Sequence, residues 1–397
     1  MTSTAPRRRR IALALAAVVA LNLPLGTVYA FSVFLRPLEA LLALTRAELS
    51  LVFGTAVVCF TLGMNLAPLL YRLAPAAVLV LACAALSSGG MVAAAAAGGL
   101  VQLALGYGLM FGLGGGVAYV LLLQGVNLML PGSRRQGLVN GFIVSLYPAG
   151  AMIGAPLFGW ALARWGLRVT LGGLAAVLAA TGLLAALLVL ACRMALVAAP
   201  DSAAAAPGPP PPRHASVFWR LWAVFFLAAA SGLTVLGQAA GMVEAYGGTQ
   251  ALALLATTVI AGCITAARIG GGVLADRFPA PAVMAGAHAL ALAGDLALLA
   301  FPGPLAAVAA LAMIGMGYGI VSGSTAAAIG VYWGGSQYGR IAGRLYIAWC
   351  VAAVTLPVVA GRLFDLTGDY AGAVALAATG NALGLLVAAW LPRRATV

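Results

Sequence analysis

Pro200-Asp-Ser-Ala-Ala-Ala-Ala-Pro-Gly-Pro-Pro-Pro-Pro-Arg213 is the stretch on which the architecture turns. Consecutive prolines fix φ and remove backbone donors, so the run cannot continue a helix through lipid and reads as a stiff, exposed linker. Apolar runs flank it on both sides. Before it, candidate spans lie at 11–34, 49–70, 76–97, 100–124, 137–163 and 169–191; after it they lie at 219–243, 250–274, 281–301, 304–329, 340–363 and 371–391. The linker divides them six and six. The thinnest divisions are Gly98-Gly99 and Pro302-Gly303-Pro304.

Composition agrees with this reading. Of 397 residues, 64% are apolar and 7% charged, 21 basic and 8 acidic, where a soluble domain of this length would carry about 100 charges. A water-facing surface cannot be covered so sparsely, whereas a bilayer asks only for about 20 apolar residues per span. The chain is therefore expected to be an integral membrane protein with lipid as its main surroundings. A soluble catalytic domain has no room. There are two histidines, no HExxH, no GxSxG and no pair of carboxylates in adjacent mid-span positions, so no enzyme is expected. Cys59, Cys83, Cys192, Cys263 and Cys350 show no CxxC spacing, which implies neither disulfides nor a metal site, and no cofactor is expected.

Every basic residue other than histidine is arginine, and the net charge is +13. On a soluble protein that would suggest nucleic acid; here the arginines are read by side of the membrane, and no nucleic-acid partner is expected. Arg7 to Arg10, the apolar run after them and Val28-Tyr29-Ala30 imitate a secretory signal. The run outlasts a signal core, however, and Asn22, Pro24 and Gly26 interrupt it, which suits an irregular transport helix. With the N-terminus inside, the tails and cytoplasmic joints hold fifteen arginines: Arg7 to Arg10, Arg72, Arg134, Arg135, Arg193, Arg213, Arg220, Arg277, Arg340, Arg344, Arg393 and Arg394. The outer joints hold five: Arg36, Arg46, Arg164, Arg168 and Arg362. Both termini are thus expected in the cytoplasm of a cell that carries the chain in its plasma or inner membrane. The organisation is a basic tail 1–10, a six-helix bundle 11–192, a linker 193–218, a second bundle 219–391 and a tail 392–397.

The halves repeat each other. Gly137, Gly141, Gly159 and Gly166 recur as Gly339, Gly343, Gly361 and Gly368, each 202 positions on; Gly112, Gly114 and Gly116 recur as Gly315, Gly317 and Gly319, 203 on. Ordered matches at nearly one offset suggest parallel six-helix halves related by a pseudo-two-fold axis, with a binding site between them near the midplane.

Gly272-Val-Leu-Ala-Asp276-Arg277-Phe278 follows the eighth span, and Ala67-Pro-Leu-Leu-Tyr71-Arg72-Leu73 follows the second. With six plus six spans and a central linker, the chain resembles the major facilitator superfamily (MFS), whose glycine/Asp-Arg signature occupies these loops. The resemblance implies an all-α membrane fold and a gating role for Gly272, Asp276, Arg277 and Arg72. Asp276 would sit near a helix N-terminus and arginines in one conformation and be released in the other. Tyr71 replaces the expected acid in the first half. Gly26-Thr-Val-Tyr29-Ala-Phe-Ser32-Val-Phe34, Arg134-Arg135-Gln-Gly137, Ala267-Arg268 and Leu366-Thr-Gly368-Asp-Tyr370 are similar to the oxalate/formate antiporter and monocarboxylate transporter branch. That branch places an anion-binding arginine in the eighth span.

Arg268 is that arginine here, and it lies inside a span at a cost of at least about 2.5 kcal/mol. Two readings stand. In one, the guanidinium fork clamps a carboxylate, with Thr258, Ala261, Thr265, Arg268 and Gly272 as a small or polar stripe and Leu252, Leu255 and Val259 toward lipid. In the other, Arg268 lies about 7.5 Å from the span centre and snorkels to the headgroups. The branch's antiporters carry a lysine in the eleventh span, where this chain has Trp349. One cation suits one carboxylate, because a dianion would leave a charge buried and unpaired. The acid that animal-type carriers place one turn before the arginine is Ile264 here.

Tyr29, Tyr119, Tyr147, Tyr318, Tyr346 and Trp349 lie on spans that line the cavity in the resembling family, and could close around a small acid or serve as ordinary packing. Asn22 and Gln238 are polar mid-span candidates of the same kind. Gln124 and Asn127 fall nearer a cytoplasmic end and suit a cap or the lining of the loop. His288 and Asp295, seven apart on one face of the ninth span, suit a proton relay or a structural pairing; Glu244, which closes the seventh span at the outer surface, is a third candidate for proton coupling or a solvated end. The expected function is secondary active transport of small organic anions, chiefly monocarboxylates, with a proton or counter-anion as a further partner and the chain acting as a monomer. The alternatives are an efflux carrier of amphipathic compounds and a dicarboxylate/monocarboxylate antiporter.

Overall fold

A computed structural model describes residues 5–130, 133, 135–197, 215–334 and 337–393, and structural statements refer to these. Most of the linker, Arg134, Arg213 and Arg394 lie outside the described residues.

The first crossing is α1 (Ala5–Leu25), a 3₁₀ stretch (Gly26–Phe34) and α2 (Leu35–Leu42) in one continuous rod. Pro24 lacks the backbone donor that an α-helix would use, and its carbonyl is taken by Thr27 Oγ1 at 2.6 Å, which tightens the winding. The irregularity expected from Pro24 and Gly26 is therefore present. A Cβ on Gly26 would lie 2.5 Å from the Tyr147 backbone, so only glycine permits that approach. Next come α3 (Arg46–Leu70) and α4 (Ala76–Ala95). Thr45 and Glu48 cap α3 reciprocally: the Glu48 amide donates to Thr45 Oγ1 at 3.3 Å and the Thr45 amide to Glu48 Oε2 at 2.8 Å. The fourth crossing is α5 (Leu100–Leu103), a π-helical stretch (Ala104–Phe111) and α6 (Gly112–Met129).

Helix α7 (Gln136–Cys192) counts 57 residues, about 85 Å at helical rise, nearly three times a bilayer's apolar thickness. Gly166, at φ 75°, breaks it into the fifth and sixth crossings. Then follow α8 (Ala215–Ala245), α9 (Gln250–Arg277), α10 (Ala280–Ala300), α11 (Pro304–Trp333), α12 (Tyr338–Thr367) and α13 (Ala371–Ala389). Eleven segments are long and apolar enough to cross a membrane, and with α7 divided they make twelve crossings. The fold is all-helical, as the sequence implied.

The glycine repeat has a packing basis. Gly368 takes φ 78°, matching Gly166 at 75°. On α6, Gly114 lies against Cys83 of α4 and Gly112 against Ala56 of α3; on α11, Gly317 lies against Ala287 of α10 and Gly319 against Ile264 of α9. A Cβ at any of the four would fall within 2.8 Å of a neighbouring carbonyl, so each pair of helices touches backbone to backbone.

Packing groups the chain into two compact units, each of which includes a short segment from the other half of the sequence. Ser133–Ser145, the start of α7, belongs with the later helices, and Trp333–Arg344, the start of α12, with the earlier ones. Glycines explain both. Gly137 and Gly141 press on Gly272 and Arg268 of α9, while Gly343 presses on Met64 and Asn65 of α3.

Candidate functional site

Helix α9 buries Ala253, Ala256, Ile260, Ile264 and Ala267, a face at helical spacing. The polar stripe expected from sequence lies at the edge of this face rather than along it: Thr258 is exposed, Thr265 half-buried, and only Arg268 and Gly272 are buried. Large apolar Ile260 and Ile264 fill the centre because Gly315 of α11 gives them room.

Arg268 is 4% exposed, which removes the snorkelling geometry. Its turn of helix is held between two glycines. A Cβ on Gly141 of α7 would lie 2.5 Å from the Arg268 carbonyl oxygen, and one on Gly323 of α11 would strike the same oxygen. The side chain then has defined partners. Nη1 donates to the Val144 carbonyl at 2.9 Å, Nη2 donates to the Tyr318 hydroxyl at 2.9 Å, and the Tyr318 ring lies 5.2 Å below Cζ. Those two acceptors are neutral groups, and together they orient the guanidinium. Gly232 of α8 makes the space for Tyr318.

Two turns on, Asp276 holds the start of α7. Oδ1 accepts from the Gly137 amide at 2.7 Å and Oδ2 from the Leu138 amide at 2.8 Å, so a carboxylate meets the positive end of a helix dipole through both oxygens. Arg277 and Arg72 are exposed. In the other unit the equivalent start of α12 is held without charge. Gln124 Oε1 accepts from the Gly339 amide at 2.9 Å, and Asn65 Nδ2 donates to the Gly343 carbonyl at 2.9 Å. Gln124 thus caps, as its position near a helix end suggested.

The remaining candidates fall into separate groups. Tyr119 and Tyr147 stand edge to face at 5.2 Å, each against Phe60, and the Tyr147 hydroxyl donates to the Gly115 carbonyl at 3.3 Å. Asn22, wholly buried, has no hydrogen-bond partner among the described residues on either side-chain polar atom. Tyr29 is half-buried in the 3₁₀ stretch. Tyr346 packs edge-on against Phe225 at 5.2 Å, and Trp349 is buried one turn on. Gln238 accepts from the Tyr370 hydroxyl at 3.1 Å, which ties α8 to the start of α13. Glu244 is exposed, apart from His288 and Asp295, which are buried together with Asn381. Asn381 was not singled out in the sequence. A lone amide in the last span, whose only other polar side chain is Thr379, was the available signal.

Twelve helical crossings, a glycine repeat between the halves of the sequence and a buried, oriented arginine define a polytopic, all-helical membrane protein. The family model described as Major Facilitator Superfamily matches residues 11–354, and the chain belongs to that family. Similar solved structures include the transporter FucP in an outward conformation (TM-score 0.73, 16% identity, 95% of this chain and 98% of that one). The proton:xylose symporter XylE bound to 6-bromo-6-deoxy-D-glucose gives 0.73 and 14%, over 97% and 96%. The human organic anion transporter MFSD10 (TETRAN) gives 0.72 and 17%, over 96% and 99%. These likenesses concern the fold. No curated protein matches by sequence.

Proposed function

We propose that the chain carries small organic anions, chiefly monocarboxylates, across a plasma or inner membrane by alternating access, with both termini in the cytoplasm, and that it acts as a monomer. The observation that carries this is Arg268, buried in a span and turned by Val144 and Tyr318. The Tyr318 hydroxyl, having accepted from Arg268, keeps its own proton for another acceptor, so a carboxylate would meet a cation and a neutral donor side by side. Asp276, Gly272 and Gly137 would serve as the gate, formed in one conformation and broken in the other. Phe60, Tyr119 and Tyr147 favour a second reading, an efflux carrier of amphipathic compounds, because three rings in contact suit a larger apolar body.

Counterflow in proteoliposomes with a panel of mono- and dicarboxylates, with and without a pH gradient, tests the proposal. Exchange of monocarboxylates is expected. Preference for dicarboxylates would overturn the single-cation reading, and exchange of amphipathic cations alone would support the second.

A further inference from the structure

Helix α10 carries two ionisable side chains, His288 and Asp295, and both are buried with Asn381 of α13. Asn381 Nδ2 lies 2.8 Å from Asp295 Oδ2; Asn381 Oδ1 lies 3.0 Å from His288 Nδ1; His288 Nε2 lies 3.2 Å from the Val224 carbonyl of α8. Among the described residues Asp295 Oδ1 has no hydrogen-bond partner. Gly384 leaves the gap on α13 that the imidazole fills.

Counting donors and acceptors leaves two ways to satisfy the chain of contacts. The Val224 carbonyl only accepts, so Nε2 carries a proton in both. With the amide nitrogen toward Asp295, the carboxylate is ionised and Nδ1 must donate to the amide oxygen, making an imidazolium. Turned over, the amide oxygen accepts from a protonated Asp295 Oδ2 and the amide nitrogen donates to an unprotonated Nδ1. The proton count is the same: one proton leaves Asp295 Oδ2 and is found on His288 Nδ1, while Asn381 keeps its own two. Burial decides between them. The first arrangement places two full charges among apolar helices and leaves one carboxylate oxygen without a donor, whereas the second carries no net charge on any group.

We propose that Asp295, Asn381 and His288 form a proton-binding relay that rests un-ionised, with Asn381 as the amide switch between the carboxyl and the imidazole and Asp295 Oδ1 as its open end. The relay stands apart from Arg268 and does not depend on the anion reading. Ionisable neighbours are turned elsewhere: Tyr318 to Arg268, Tyr332 to the Pro392 carbonyl, Arg220 of α8 to the Trp390 carbonyl and Asp276 to Gly137. Helix α13 has no ionisable side chain between Ala371 and Ala389.

Infrared spectra of the full chain in lipid nanodiscs, in H2O and after transfer to D2O, test this. The carbonyl band of an un-ionised carboxyl is expected in the wild type, shifted in D2O, absent from Asp295→Asn, and moved to the frequency of a carboxyl without an amide partner in Asn381→Leu. Nitrogen-15 spectra of His288 should show a neutral ring protonated at Nε2. An imidazolium with no un-ionised carboxyl band would make the group a fixed ion pair and overturn the proposal. So would a band that ignores D2O, persists in Asp295→Asn or is unmoved in Asn381→Leu. The wild-type spectra decide even where a variant fails to fold.

Discussion

Tyr318 touches Arg268 twice. Its hydroxyl accepts from Nη2 at 2.9 Å, and its ring lies 5.2 Å from Cζ of the same guanidinium. The two contacts can be separated by chemistry. Tyr318→Phe keeps the ring beneath the charge and removes the oxygen. A hydrogen bond to a charged group is worth about 1.5–3 kcal/mol, so apparent KM for a monocarboxylate in proteoliposome uptake should rise roughly tenfold, with the amount of protein in the membrane unchanged.

Arg268→Ala should abolish carboxylate uptake, a loss of roughly hundredfold or more, because the loss of a contact worth about 3 kcal/mol already accounts for that factor. Arg268→Lys keeps the charge but not the fork, and should recover only part of the rate. Counterflow measures both. Near-normal uptake in Arg268→Ala would exclude Arg268 as the substrate cation.

Asp276→Asn should weaken the hold on the start of α7. The amide offers one acceptor oxygen and turns a donor toward a backbone N–H, at a cost of about 2 kcal/mol. Gly137→Ala should act in the same direction, since its Cβ would lie 2.6 Å from Asp276 Oδ1. Lower melting temperatures for both variants in detergent, with a nonadditive double mutant, are the expected result.

Gly384→Ala should destabilise by about 1–3 kcal/mol, the usual cost of overpacking, because the new methyl enters the imidazole of His288. The double variant with His288→Ala should lose less than the sum of the two single changes. Thermal unfolding of purified protein reads both, and full additivity would separate the two positions.

Much of the architecture was legible because bilayer physics writes it in plain composition. Spans follow from apolar runs, and the repeat from Gly137, Gly166, Gly339 and Gly368, whose spacing reflects close contacts at Gly137 and Gly339 and positive φ at Gly166 and Gly368. Arg268 was legible as an exception to the scarcity of charge. Its partners were less so: the Val144 acceptor is a backbone carbonyl, which no side-chain pattern announces. The polar stripe was misplaced for a related reason, since Ile264 is buried where a glycine on another helix admits it. Asn381 was missed because one amide among alanines and leucines gains meaning only when Asp295 and His288 stand on either side of it.

Asp276 and Gln124 hold helix starts that the repeat makes equivalent, one with a full charge and one with none. Dissolved salt screens a partly exposed carboxylate within about 10 Å at 0.1 M and is indifferent to a neutral amide. The two ends of the repeat therefore answer electrolyte differently. As ionic strength rises, the grip on α7 slackens while the grip on α12 holds, so a chain whose halves share one glycine pattern is lopsided in its response to the ions around it.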